Sequence, residues 1–222
     1  MKLHIAIVDP AVQRPELNAL NQMSRMSPAP LTYHLPALHG MHSLEHHAQD
    51  SIVGIVVLGS LASVHHKDPW QIELGRWLKP LIEAGVPTLG ICFGHQMIAT
   101  LLGGTVGFAR TDRTKIRGCR EVSLVANPLW GNKPIKGHLC VSHEETVVKA
   151  PEVMHVVGVS PEIPTDVLAH KQLPVWTFQS HPEATPGFLE RRKLNPGIAK
   201  PYDFGQSLMR NFLEFASKKG GL

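Results

Sequence analysis

Gly90-Ile91-Cys92-Phe93-Gly94 sets a cysteine between two glycines, where an apolar run at 86–91 gives way to a helical pattern at 97–102. A nucleophile on such a strand-to-helix turn sits on strained backbone, and the flanking glycines remove Cβ atoms that would strike the neighbouring strand and helix. The thiol is then held above the sheet edge, at a helix start whose unpaired N–H groups favour negative charge. A second group stands at Phe178-Gln179-Ser180-His181-Pro182-Glu183, where another apolar strand ends in His-x-Glu. A histidine there can take the thiol proton and later give it to a leaving amine, a step typically contributing about 10²- to 10⁴-fold. Glu183 would orient the ring and stabilise its charge, and Pro182 would stiffen the turn so that the two side chains converge. Cys92 as nucleophile, His181 as base and acid, and Glu183 as orienting carboxylate are the predicted catalytic triad of a cysteine hydrolase. Cys119 and Cys140 lack such surroundings and read as structural residues.

To bring these groups together, the chain needs a sheet whose strand ends share one edge. Short runs rich in β-branched residues alternate with helical patterns, as parallel strands joined by crossover helices do. Strands are predicted at 3–8, 31–35, 52–58 and 86–91. Between the last two, Ile72, Leu74, Trp77, Leu78, Leu81 and Ile82 fall at helical spacing within 70–84, and Gly85 follows where a helix C-cap belongs. Beyond Gly104, shorter strands at 121–125, 138–141, 156–159, 167–170 and 175–179 read as a partly antiparallel half. The stretch 194–201, with two prolines and a glycine, reads as a loop, and 203–217 as a closing helix with Phe204, Leu208, Phe212 and Phe215 on its inner face. The expected fold is a three-layer α/β sandwich with a mainly parallel central sheet and the active site at the carboxyl ends of its strands, with 1–222 as a single domain.

Gly90-Ile91-Cys92-Phe93-Gly94-His95-Gln96 together with Phe178-Gln179-Ser180-His181-Pro182-Glu183 resembles the paired motifs of class I, triad-type glutamine amidotransferases. Over 52–183 the chain is similar to GMP-synthetase-like amidotransferase domains and to γ-glutamyl peptidases. The resemblance implies a flavodoxin-like amidotransferase fold with no cofactor. It also implies a γ-glutamyl thioester on Cys92, formed by attack on a side-chain amide, with release of ammonia or an amine and then hydrolysis. By the same resemblance, the Gly59 and Phe93 N–H groups would form the oxyanion hole. Gln96 would position the glutamyl group, and the Ser142-His143 backbone would hold the substrate's amino-acid end.

Two departures from the family pattern bear on the substrate. Leu58-Gly59-Ser60-Leu61 stands where many members carry Gly-Gly-Pro, and is closer to the γ-glutamyl peptidase pattern. A Ser-Gly-Gly-x-Asp-Ser nucleotide loop is absent, with no room for a synthetase domain after Glu183, so a complete GMP synthetase is not expected. One reading is a glutaminase subunit that supplies ammonia to a separate synthetase. The other is a freestanding γ-glutamyl peptidase or amidase, toward which the Gly59-Ser60 loop leans. Both take a small-molecule substrate, glutamine or another γ-glutamyl compound. A non-catalytic regulatory homologue is a third reading, opposed by the intact Cys92, His181 and Glu183.

Composition narrows the remaining classes. At 222 residues with 43% hydrophobic and 18% charged, the chain can bury a substantial core. The net charge of +4 is scattered, and Arg191-Arg192-Lys193, its densest basic stretch, reads as a solvated loop, so no nucleic-acid role is expected. The apolar run at 52–64 is broken by Gly and Ser and is shorter than the roughly 20 residues that span a bilayer. With no membrane span, no secretory leader and three cysteines outside any C-x-x-C pair, a cytoplasmic protein is expected. The pairs His46-His47 and His65-His66 lack a second ligand cluster at metal-site spacing, so no metal is expected. His95 reads as a packed residue, the four tryptophans as core or rim aromatics, and Trp70 as a candidate pocket wall.

Overall fold

The computed structural model describes residues 2–195, 197 and 202–222. In chain order the elements are β1 (His4–Val8), α1 (Leu17–Met26), β2 (Leu31–His34), the single turns α2 (Pro36–His39) and α3 (His42–Glu45), then β3 (Ile52–Val57) and α4 (Pro69–Glu83). Next come β4 (Thr88–Ile91), α5 (Phe93–Leu101), β5 (Thr105–Phe108), β6 (Ile116–Leu124), β7 (Ile135–His143) and β8 (Glu145–Lys149). β9 (Met154–Val159), β10 (Val167–His170), β11 (Val175–Phe178), α6 (Pro186–Arg192) and α7 (Asp203–Lys219) complete the order.

Nine of these strands form one sheet in the order β2-β1-β3-β4-β11-β10-β9-β6-β7. The first five pair in parallel and the last four extend the sheet antiparallel. The central strands are buried along their whole length and mostly apolar, because both of their faces are covered. On β1, Ile5 and Ile7 join a core completed by Ala19 and Met23 of α1 and by Leu208, Phe212 and Leu213 of α7. Ala6 and Val8 face the other way, toward Leu74, Leu78 and Ile82 of α4 and Met97 and Ile98 of α5. Helices thus lie on both faces of a mixed sheet whose centre is parallel, as the sequence pattern anticipates.

Several local expectations are revised. The helix after the cysteine begins at Phe93, not at 97, because Gly94, His95 and Gln96 already belong to its first turn. The second half of the main sheet is antiparallel in every pairing, and β6 and β7 run nine residues each, well beyond their predicted lengths. α1, α6 and the two-stranded β5–β8 sheet have no counterpart among the predicted elements. Arg191 and Arg192 lie in the last turn of α6, not in a solvated loop, with Lys193 as its left-handed cap. Gly85, at φ +79°, lies just past α4 as expected. Of the predicted 194–201 loop, Pro196 and 198–201 fall outside the described residues. Among the described residues no helix is long and apolar enough to cross a membrane.

Candidate active site

Parallel strands β4 and β11 lie side by side, with Ile91 opposite Phe178, so the chain leaves both at the same sheet edge. Cys92 follows Ile91 directly, and the His181 turn follows Phe178 by three residues. The Cys92 N–H donates to the Phe178 carbonyl at 2.7 Å, tying the two exits together.

Cys92 has φ +52°, a left-handed conformation that costs a non-glycine residue about 1–3 kcal/mol and persists only where the surroundings enforce it. Gly90 and Gly94 are that surrounding. A Cβ on Gly90 would stand 2.7 Å from the Gly94 carbonyl oxygen, and one on Gly94 would stand 2.2 Å from the Val57 carbonyl oxygen. The start of α5 is therefore pressed onto β3 and β4, and Cys92 is the turn that makes this packing geometrically feasible.

His181 is buried and held from several sides. Its N–H donates to the Cys140 carbonyl at 2.8 Å, and its ring packs on Phe188 with centroids 4.6 Å apart. Nδ1 lies 2.8 Å from Glu183 Oε1, which leaves Nε2 for Cys92. Burial by itself would discharge the ring. The Glu183 carboxylate, the charge of Cys92 and the hydrogen bonds to both outweigh it, and the pKa rises to about 10.

The strand exit is braced from behind by Asp166. Its carboxylate accepts the Ser180 N–H (3.2 Å) and hydroxyl (3.0 Å) and pairs with Arg120 at 2.8 Å.

A cavity of about 290 Å³ opens beside the sulfur, lined by Cys92, Gln96, Ser142, His143, Glu145, Ser60 and Ser63 among others. The Gln96 amide donates to the Glu145 carbonyl (2.8 Å) and to Gln179 Oε1 (3.1 Å). His143 Nδ1 lies 3.0 Å from the Glu145 carbonyl, which can only accept, so this nitrogen carries the proton and Nε2 is left as an acceptor. That Nε2 is buried with no partner among the described residues. Burial, with the nearby Arg120 charge, lowers the pKa of His143 to about 3, so the ring is neutral. Gly59 stands against both His181 and Cys92: a Cβ there would meet His181 Cε1 at 3.0 Å and Cys92 Cβ at 3.4 Å. Phe93 opens α5, where a backbone N–H has no intrahelical acceptor.

Cys92, His181 and Glu183 thus meet at one point, with Gly59, Phe93, Gln96, Ser142 and His143 around them. The arrangement suits attack of a thiolate on a carbonyl, with a protonated imidazole beside the leaving group.

Trp70 packs on Phe93, 5.5 Å between centroids, as a core or rim aromatic does, and is not among the residues that line this cavity. His95 is wholly buried against Thr177, as expected for a packed residue. Cys119 and Cys140 face each other across β6 and β7 as free thiols, 3.0 Å between sulfurs. Sequence reasoning gave no role to Gln179, whose buried amide donates to the Cys92 sulfur at 3.7 Å. Its place in the motif next to His181 was the available signal.

A family model described as glutamine amidotransferase class-I matches residues 34–200. The chain is 27% identical to a glutamine-hydrolysing GMP synthase of Streptococcus mutans over 161 residues, covering 72% of this chain and 27% of that protein. It is 33% identical to another from Aquifex aeolicus over 132 residues, covering 60% and 24%. The chain spans about a quarter of the length of these curated relatives. Its fold is similar to that of a glutamine amidotransferase from Thermotoga maritima, with a TM-score of 0.78, 18% identity and coverage of 97% and 98%.

Proposed function

Because this chain belongs to the class I glutamine amidotransferase family, we propose that it hydrolyses a γ-glutamyl amide through a thioester on Cys92, with His181 as acid and base and Glu183 holding the His181 charge. The observation that carries this reading is the junction of a left-handed cysteine at a helix start with a buried, charge-compensated histidine.

In the reaction, the Cys92 thiolate attacks the γ-carbonyl carbon. The oxygen that becomes negative is placed toward the Gly59 and Phe93 N–H groups, and losing one such donor typically costs about 10²- to 10³-fold. His181 protonates the amine as it leaves, then takes a proton from the water that opens the thioester. Gln96, Ser142 and His143 wall the cavity that would hold the glutamyl part, with the Ser142-His143 backbone holding its amino-acid end.

Supply of ammonia to a synthetase is one use of this chemistry, in keeping with relatives named as glutamine-hydrolysing GMP synthases. Freestanding cleavage of γ-glutamyl peptides is the other, and the second cavity described below favours it.

Glutamate release and intact mass of the protein treated with a glutamine-like electrophile test the common core. Cys92→Ala is expected to lose both turnover and adduct while its thermal midpoint stays within a few degrees of wild type. Undiminished turnover by that variant would end the proposal.

A further inference from the structure

A second cavity, of about 320 Å³, adjoins the first, with Ser60 and Leu61 common to both walls. It brings Asp9, Arg14 and Glu16 from the N-terminal segment against Arg191 and Arg192 of α6. The three N-terminal residues precede the stretch that the family model matches.

Its charges are unevenly satisfied. The Asp9 carboxylate accepts the N–H groups of Ala11 (3.0 Å) and Glu16 (2.7 Å) and the Tyr33 hydroxyl, and Glu16 is taken by Arg191. Arg14 and Arg192 pair with no carboxylate among the described residues. Two guanidinium groups are therefore left to meet an anion, and Arg is the side chain best shaped to hold a carboxylate.

The cavity also lies beside the Cys92–His181 pair. Gly59 walls it, and a Cβ on Gly59 would meet His181 Cε1 at 3.0 Å and Cys92 Cβ at 3.4 Å. The His181 ring packs on Phe188, and the Arg192 guanidinium stands over the same Phe188 ring at 5.6 Å from its centroid. During cleavage the acyl carbon is bound to Cys92 while the amine nitrogen must take its proton from His181. Whatever that amine carries extends from the His181 side.

We propose that this cavity receives the leaving part of the substrate and that Arg14 and Arg192 bind a carboxylate on it, so that γ-glutamyl peptides with a free C-terminal carboxylate are cleaved in preference to glutamine. The inference rests on the hydrolase reading above. The Sγ–C bond forms as the C–N bond breaks, the His181 proton goes to the amine, and a free amino acid departs. Water then adds to the thioester carbon, gives one proton to His181 and expels the thiolate, leaving the γ-carboxyl of glutamate.

The test is steady-state kinetics of the full chain on γ-glutamylglycine, its C-terminal amide and glutamine. The free acid is expected to exceed the amide in kcat/KM by at least about tenfold. In an Arg14→Gln, Arg192→Gln double variant that ratio is expected to fall toward one, chiefly through KM, and lysine at both positions is expected to restore part of it. Arg14 is exposed, so Arg14→Gln alone gives a folded check on the same ratio. Equal turnover of acid and amide by the wild type, or a preference untouched in the glutamine variants, overturns the proposed role of the cavity and leaves the hydrolase reading standing. No turnover of any of the three, with Cys92 also unmodified by a glutamine-like electrophile, takes down both.

Discussion

A buried imidazole ordinarily gives up its charge, and three histidines of this chain divide on whether a carboxylate faces them. His95 and His143 are buried with no carboxylate bonded to the ring, and their pKa values fall to about 4 and about 3. His181 is as deeply buried, yet Glu183 and Cys92 reverse the effect and raise it to about 10. In the proposed reaction, departure of an amine needs the protonated ring, so activity should decline on the alkaline side as His181 loses its proton. Glu183→Gln removes the carboxylate charge and keeps the side chain's size. The alkaline limb is expected to move down by at least about one pH unit, with kcat/KM at neutral pH reduced at least about tenfold. A pH–rate profile of the variant checks this; an unmoved limb would mean that Glu183 does not hold the ring's charge.

Elements, and not residues alone, set the strain at Cys92. The start of α5 crosses β3 so closely that Gly94 has no space for a Cβ. In a free helix, Gly→Ala gains about 0.5–1 kcal/mol from backbone entropy. Here the added methyl meets a backbone carbonyl, which cannot rotate aside as a side-chain tip could, and overpacking of this kind costs about 1–3 kcal/mol. Gly94→Ala is therefore expected to destabilise the fold by about 1–2 kcal/mol and to reduce Cys92 alkylation as the turn shifts. Denaturant unfolding and alkylation rates read the two effects, and a more stable variant would show that the approach is looser than described. The Asp166 brace works at the same scale, since it fixes the end of β11 from which His181 projects.

For the molecule as a whole, buried neutral histidines are a liability in acid. His34, His95 and His143 have lowered pKa values of about 4, about 4 and about 3, each mainly through burial, against 6.5 when unfolded. Between those limits the unfolded chain binds more protons, so stability is lost as pH falls from about 6.5 toward 4. Asp9 works in the opposite sense, because burial raises it to about 6 and its protonation favours the fold. His181 also opposes the trend, contributing fully below 6.5 and less as pH climbs toward 10. The three lowered histidines outweigh Asp9, and the thermal midpoint is expected to fall steadily from pH 7 to pH 4. Circular dichroism melts across that range would show it, and a flat profile would contradict the burial argument.

The glycine-flanked cysteine, the His-Pro-Glu turn and the apolar strands before them were legible in the chain because each depends on sterics among neighbours. A nucleophile turn needs small residues at fixed offsets, and a strand covered on both faces needs an unbroken apolar run. The convergence of Cys92, His181 and Glu183 and the parallel centre of the sheet followed from those short-range demands. A partly antiparallel second half was legible as well, but the nine-residue length and pairing order of its strands, the Gln179 contact with the sulfur and the cavity joining Arg14 to Arg191 and Arg192 were not. They depend on which strands become neighbours and on where α6 comes to rest, and so on contacts between segments as much as 175 residues apart, such as Glu16 with Arg191. Local propensity does not encode such pairings, because burial of the whole sheet selects them at once.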